Sequence, residues 1–271
     1  MSIPRNMMVK CPKCGQSFPA TIFDSINTSY AQDVAISIIT GDRFNASCPC
    51  CGNIAHLEYD ILYHDINHRA MIWVVHCDNE ENYKQKLLEV KSLKPSFLSM
   101  TRIVPDMEAL SEKVLCLEKN RDDRVIELCK FITQANLLER KPNFVVNHIV
   151  YTISSNKEVL VFYSDGQKPE VAYVDKNLYG PVKKMFEREL REPVPPCAII
   201  DQDWVKSVVY RFTEDHPNEF LSENVMQQIS PEKTDNASMK VTFCRKCGAK
   251  LLPDSMFCSY CGTKVVELPG R

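Results

Sequence analysis

The sequence predicts an α+β protein in which several small units follow one another along the chain. Helical periodicity is concentrated in residues 106–140, whereas residues 143–174 form short apolar runs separated by turn signals. A repeated cysteine pattern marks both ends of the chain, which predicts that each end is held by more than a small apolar core. At 271 residues, the chain is long enough for two domains or for one domain with appendages.

Composition excludes several classes of protein. The chain is 44% hydrophobic with a formal net charge of -2, which is typical of a globular protein and argues against one that mainly coats nucleic acid. Its 13 cysteines are an odd number and several are isolated, so they make a poor disulfide framework and suit a reducing compartment. The N-terminus has no apolar stretch of signal-peptide length, and apolar runs elsewhere are short. We therefore expect a cytoplasmic protein that does not enter the membrane.

The pattern Cys-x-x-Cys-Gly occurs four times. The four cysteine pairs are Cys11 and Cys14, Cys48 and Cys51, Cys244 and Cys247, and Cys258 and Cys261. Two intervening residues let both thiolates point at one cation, and the glycine can take the positive φ that such a turn requires. Eight thiolates suffice for two tetrahedral sites with four ligands each. The sequence therefore predicts two structural metal sites, and closed four-thiolate coordination disfavours catalysis at either ion.

The first predicted domain, residues 1–140, carries two of these cysteine pairs. Residues 28–40 read as a helix with Val34 and Ile38 on one face and Gly41 as its stop. Strands are predicted at 44–47, 54–63 and 69–76, with a turn at 64–68 between the last two.

The second half of this domain is predicted to be mainly helical. An exposed helix at 79–93 and an extended segment at 97–104 precede helices at 106–117 and 122–140. In the last helix a core-facing stripe repeats at helical spacing, and its members are Val125, Leu128, Cys129 and Ile132.

A separate α+β block is predicted at 143–212, followed by a polar linker at 213–240. Its three strands form a meander at 144–153, 158–163 and 169–174. The turns between them are predicted at Ser155-Asn156 and Asp165-Gly166. Helices are predicted at 181–190 and 201–212, with Trp204 and Val208 on the buried face of the second.

The C-terminal cysteine pairs are separated by ten residues, which is zinc-ribbon spacing. The segment from Phe243 to Val265 resembles the short zinc ribbons appended to many prokaryotic proteins. This resemblance implies a zinc-held β-hairpin at 241–271 and no particular activity. Because so short a segment has only a miniature core, we expect bound metal to supply most of its folding free energy.

The N-terminal pairs are separated by 33 residues, so assigning all four cysteines to one site is an inference from the sequence. Both pairs have proline after the first cysteine, and the insert ends in a predicted strand that could return the chain. The alternative is that each pair acts separately, for example as a redox Cys-x-x-Cys. Cys50 lies beside two predicted ligands and could compete with them for the metal, but two adjacent cysteines are strained when both bind the same ion.

A wider resemblance covers residues 8–135. Two Cys-Pro-x-Cys motifs are followed by Leu62-Tyr63-His64-Asp65 and Met71-Ile72-Trp73, and Asp122 to Leu128 lies in a later helix. This order of motifs resembles the bacterial CpXC domain. The resemblance implies a metal site at Cys11, Cys14, Cys48 and Cys51 and a bacterial origin, and it implies no biochemical activity.

Other side chains carry weaker functional signals. His64 beside Asp65 is a possible general-base pair, but neighbouring residues in a turn seldom orient one another well. Cys116, Cys129 and Cys197 are predicted to be small core residues. The spacing of the cysteine pairs also suits iron, and the resemblance to zinc ribbons favours zinc.

These signals together predict a non-enzymatic scaffold or adaptor that carries two zinc ions and binds an unidentified protein partner. One alternative is a nucleic-acid-associated regulator, because residues 240–271 contain six basic and two acidic side chains. Another alternative is an enzyme that uses a groove near His64 and Asp65.

Overall fold

The computed structural model describes residues 3–30, 34–76, 80–93 and 100–215, together with two short strands at 242–243 and 250–251. The α+β class is confirmed. The predicted C-terminal ligands Cys244, Cys247, Cys258 and Cys261 lie outside the described residues, as does most of the predicted linker. Contacts divide the chain into two compact units. The first comprises the described residues up to Leu115 together with the two short strands at 242–243 and 250–251, and the second begins at Cys116.

The first unit is built on a five-stranded mixed sheet with strand order β1-β2-β5-β6-β7. These strands are β1 (Ile3–Lys10), β2 (Ser17–Asn27), β5 (Ile61–Asp65), β6 (Ala70–Val74) and β7 (Met100–Val104). The β2–β5 and β6–β7 pairs are parallel, and the other two neighbouring pairs are antiparallel. In β2 the side chains of Phe18, Ala20 and Ile22 alternate with exposed ones and enter the core.

Five further helices and strands begin in the first unit. They are α1 (Val34–Ile39), β3 (Asn45–Ser47), β4 (Ile54–His56), α2 (Glu80–Ser92) and α3 (Met107–Glu118). The predicted helix at 28–40 is present as a 3-10 turn at Thr28–Tyr30 and as α1, and Gly41 follows α1 with φ of 77°. The predicted strand at 54–63 is interrupted by residues 57–60, so it forms β4 and β5.

The second unit contains a three-stranded antiparallel meander with order β10-β9-β8. Its strands are β8 (His148–Ser154), β9 (Lys157–Tyr163) and β10 (Glu170–Tyr173). Ser155 and Asn156 have φ of 49° and 63°, which is the two-residue turn predicted between the first two strands. Three cysteines, Cys116, Cys129 and Cys197, are buried as predicted.

Helices complete the second unit, and they are α4 (Asp123–Arg140), α5 (Tyr179–Met185), α6 (Glu187–Leu190) and α7 (Gln202–Asp215). Because α4 contacts α5 and α7, it groups with the second unit, which begins at Cys116. The domain boundaries expected from the sequence, 1–140 and 143–212, stay predictions. The helix predicted at 201–212 is present as α7, and Val208 is buried as predicted. Trp204 is half-buried, and the buried positions repeat at helical spacing as Val205, Val208, Val209 and Phe212.

Candidate metal centre

Each N-terminal cysteine pair occupies the turn of a β-hairpin. Cys11 and Cys14 lie between β1 and β2, which pair from Ile3↔Ser25 to Lys10↔Ser17. Cys48 and Cys51 lie between β3 and β4, which pair from Asn45↔His56 to Ser47↔Ile54. The sequence predicted strands beside the second turn and missed both strands beside the first.

The two turns have the same backbone hydrogen bonds. In the first, the amide of Cys11 donates to the carbonyl of Gln16 (2.9 Å), and the amide of Gly15 donates to the carbonyl of Cys11 (3.0 Å). In the second, the amide of Cys48 donates to Asn53 (2.8 Å), and the amide of Gly52 donates to Cys48 (2.9 Å). This repetition indicates two copies of one ligand-presenting turn.

The glycine after each cysteine pair is required by its backbone conformation. Gly15 and Gly52 have φ of 74° and 68°, the left-handed region that L side chains rarely adopt. A Cβ added at either position would meet no atom within 4 Å. Backbone strain, and not lack of space, therefore favours glycine at both positions.

The four sulfur atoms form one cluster. The Sγ atoms of Cys11, Cys14, Cys48 and Cys51 all lie within 4.8 Å of one another. Two distances join the hairpins, 3.6 Å from Cys11 to Cys51 and 3.7 Å from Cys14 to Cys48. Sulfur atoms arranged tetrahedrally about 2.3 Å from a zinc ion lie about 3.8 Å apart, so this cluster fits one zinc ion.

Three of the four clustered thiols have pKa values that are shifted from the ordinary value, one downwards and two upwards. Hydrogen bonding from the backbone of Cys14 is the main cause that lowers the pKa of Cys11, to about 6. Backbone hydrogen bonding from Gln16 lowers the pKa of Cys14, but desolvation and the neighbouring sulfurs outweigh it and raise that pKa to about 12. The pKa of Cys51 is also raised. A divalent cation at the centre would favour the thiolate form of every ligand.

Burial differs within each cysteine pair. Cys11 and Cys48 are each 1% exposed, whereas Cys14 is exposed and Cys51 is intermediate. The first cysteine of each turn thus anchors the site in the interior, and the second faces the surface. Cys50 is exposed and lies outside the sulfur cluster.

Comparison with known proteins assigns this region to a family. The CpXC protein family matches residues 9–130, which include all four clustered cysteines. The chain contains a CpXC domain. A zinc-ribbon domain also matches residues 243–265. No curated protein and no solved structure matches the chain significantly.

The two matched domains and the cysteine cluster together indicate zinc binding. The described parts of the ribbon are β11 (Thr242–Phe243) and β12 (Lys250–Leu251), which pair in antiparallel fashion. This pairing agrees with the predicted β-hairpin. Among the described helices, none is long and apolar enough to cross a bilayer.

Within the CpXC domain, a chain of polar contacts leads from the second metal-binding hairpin to α3. Nδ1 of His56 lies 2.9 Å from Oδ1 of Asn45, its partner across the hairpin. Nε2 of His56 lies 3.6 Å from Oε1 of Glu58, and Oε2 of Glu58 accepts from the amide of Met107 at the start of α3. Burial lowers the pKa of His56, so these contacts involve a mainly neutral imidazole near pH 7.

His64 and Asp65, considered as a possible general-base pair, do not face each other. The two residues are neighbours on β5, so their side chains point to opposite faces of the sheet. Nδ1 of His64 lies 3.3 Å from the side-chain nitrogen Nδ2 of Asn27. Asp65, by contrast, is 1% exposed and accepts a hydrogen bond from His68. His68 was not predicted as the partner of Asp65, although its spacing of three residues across a turn is visible in the sequence.

Proposed function

We propose that this chain is a non-enzymatic scaffold or adaptor whose small domains are stabilised by two zinc ions. Cys11, Cys14, Cys48 and Cys51 hold the first ion. Cys244, Cys247, Cys258 and Cys261 hold the second, and the unit near each ion presents a surface to a protein partner.

The observation that carries this proposal is the convergence of two matched turns on one sulfur cluster. Four sulfurs within 4.8 Å complete a tetrahedral shell, so no coordination position remains for a substrate or a reactive water. This arrangement supports a structural ion. The side chains of His64 and Asp65 point to opposite faces of the sheet, which favours a structural role for each of them.

Zinc at this position would supply stability that the local chain lacks. The β3 and β4 strands have three residues each, too few to form a stable hairpin in water. Structural zinc sites in small domains contribute about 10–16 kcal/mol of apparent binding free energy. An ion shared by both hairpins would therefore fix β3 and β4 against the strands of the larger sheet.

The number of bound ions tests the proposal. We expect the purified, tag-free full chain to contain two zinc ions by elemental analysis. Cys48→Ser and Cys258→Ser should each reduce the content to one ion, because each variant opens a different site. Cys50→Ser is the matched control, since it removes an exposed thiol beside a ligand, and it should retain both ions. Wild-type protein with one ion or none would reject the proposal.

A measurement of binding to DNA and RNA distinguishes the proposed adaptor from the alternative, a nucleic-acid-associated regulator. The basic residues Arg245, Lys246 and Lys250 motivate that alternative. We expect no binding to either nucleic acid at low salt, where electrostatic association is strongest. Binding that weakens with salt and is lost on Lys246→Ala would replace the adaptor assignment with a nucleic-acid function.

A further inference from the structure

The helix α2 connects two neighbouring strands of the five-stranded sheet. β6 and β7 are parallel, so the chain between them must cross over from the end of one strand to the start of the next. A crossover helix ordinarily packs an apolar stripe against the sheet that it connects. In α2, by contrast, no residue is buried. The helix that follows β7 shows the ordinary pattern, because α3 buries Met107, Leu110 and Val114.

The apolar side chains of α2 are half-buried or exposed. Tyr83, Leu87 and Val90 recur at helical spacing and are half-buried, whereas Leu88 is 71% exposed. The other residues of the helix are charged or polar. A helix of 13 residues is marginal in water without tertiary support. Little apolar burial therefore opposes the opening of α2, and polar contacts contribute much of what holds it.

Three residues form a polar latch between α2 and the ends of two strands. Nζ of Lys86 donates to Oδ2 of Asp60 at 2.6 Å and to the carbonyl of His76 at 3.2 Å. Oδ1 of Asp60 accepts from the amide of His76 at 2.7 Å. Asp60 directly precedes β5, and His76 lies just beyond β6. The side chains of Lys86 and Asp60 are 40% and 46% exposed, so water can replace their contact when α2 opens.

The sheet keeps its own hydrogen bonds on both sides of the crossover. β6 and β7 pair with each other along their whole length. Just beyond β6, the amide of Val75 donates to the carbonyl of Val104 at 3.0 Å. At the start of β7, the amide of Met100 donates to the carbonyl of Arg69 at 3.3 Å. The opening of α2 therefore requires none of these bonds to break.

We propose that α2 is a strap that opens from the first unit while the sheet stays folded, and that the latch formed by Asp60, His76 and Lys86 holds it closed. Opening exchanges the contacts of the latch for water and exposes the half-buried face of α2. A ligand that binds the open form better than the closed form would shift this equilibrium. The strap thus gives the unit a conformational change that its sheet does not have to share.

Hydrogen exchange with mass spectrometry on the zinc-loaded full chain measures the opening. We expect amides in residues 80–92 to exchange at least about a hundredfold faster than those in residues 107–115, relative to their intrinsic rates. Lys86→Gln should accelerate exchange in α2 about threefold to tenfold, because it removes an exposed ion pair and a hydrogen bond. Lys84→Gln is the matched control, since Lys84 pairs with Glu80 within the same helix, and it should change exchange by at most about twofold.

A double-mutant cycle identifies the two charged partners of the latch. Asp60→Asn removes the charge but keeps an oxygen that can accept from the amide of His76, so it should accelerate exchange in α2 about as much as Lys86→Gln. When the two substitutions are combined, the second should add little to the first. Asp60→Asn should instead keep its full effect when it is combined with Lys84→Gln.

Two results would overturn the proposal. The first is equal protection of residues 80–92 and 107–115, which would mean that α2 opens only when the unit unfolds. The second is full additivity of Asp60→Asn and Lys86→Gln, which would mean that their contact does not hold the strap. Thermal unfolding of each variant shows whether the unit itself stays folded. The metal count is a separate measurement, so failure here leaves the zinc proposal standing.

Discussion

The buried carboxylate of Asp65 lies 2.8 Å from Nδ1 of His68, across the turn that joins β5 to β6. It also accepts from the amide of His68 and from the hydroxyl of Tyr63, both at 3.1 Å. Desolvation raises the pKa of Asp65, but the contacts with His68 and Tyr63 outweigh it, so that the pKa is lowered in the folded protein. The carboxylate thus holds the turn through groups on both sides of it.

We expect Asp65→Asn to destabilise the first unit by about 1–3 kcal/mol at pH 7, because the amide cannot accept all of these hydrogen bonds. Urea unfolding monitored by Trp73 fluorescence measures this change, with Trp204→Phe as the common background. Since the carboxyl pKa is lower in the folded state, its contribution is present above the unfolded value of about 3.9 and is lost as the pH falls below it. The difference between wild type and variant should therefore shrink as the pH falls through this range. A difference that grows in acid would contradict this assignment.

The glycines of the metal-binding turns give a prediction with an internal control. Gly52→Ala should destabilise the turn by about 1–2 kcal/mol, because alanine resists the left-handed conformation. It should also weaken zinc binding in competition with a chromogenic chelator. Gly180→Ala is the control, because Gly180 also has open space around it but no positive φ. If both variants bind zinc equally well, the conformation of Gly52 does not limit the site.

In the second unit, we expect Arg121 to contribute to stability through the planar shape of its guanidinium group as well as through its charge. Its Nε and Nη2 atoms donate to the two carboxylate oxygens of Glu158, at 2.9 and 2.8 Å. The guanidinium carbon lies 4.6 Å from the centre of the Tyr179 ring. Lysine keeps the charge but cannot form the paired hydrogen bonds or the planar stacking.

We therefore predict that Arg121→Lys lowers the free energy of unfolding of the second unit by about 1–2 kcal/mol. The matched control is Arg191→Lys, which alters an exposed ion pair with Glu187 within one helical turn. That change should stay within about 0.5 kcal/mol. Chemical denaturation followed by Trp204 fluorescence measures both variants. Equal effects of the two substitutions would show that charge alone accounts for the role of Arg121.

Local patterns in the sequence were sufficient to predict much of this fold. The stripe in α4 and the turn at Ser155-Asn156 each depend on a few neighbouring residues. Three of the four stripe residues, Val125, Leu128 and Cys129, are buried, and both turn residues have positive φ. The sulfur cluster was also predictable, because turn chemistry restricts how Cys-x-x-Cys-Gly can present its thiolates. Its closure across 33 residues was inferred from the proline that both pairs share and from the strand that returns the chain, and the family resemblance implies the same four residues.

Other features depend on pairing between distant segments. The strands β1 and β2 were missed, although buried Phe18, Ala20 and Ile22 alternate in the period-two pattern of a strand. The parallel pairing of β2 with β5 leaves no local signature, since it is decided by which hydrophobic faces meet in the folded chain. His68 was missed for a different reason, because its spacing of three residues from Asp65 across a turn was a local signal that the sequence contained.

Zinc removal should affect the two units differently. Chelation deprives the two cysteine turns of their shared ion, so amide exchange should accelerate at residues 11–16 and 48–53. The strands β8 and β9 should keep their protection, because the second unit has its own core, which includes Leu160 and Phe162. Hydrogen exchange with mass spectrometry on the full chain, before and after chelation, resolves these segments. Limited proteolysis should correspondingly leave a resistant fragment beginning near Cys116. Uniform loss of protection would mean that zinc stabilises the whole chain as one cooperative unit. Addition of zinc after chelation is the control for irreversible damage, because it should restore the lost protection.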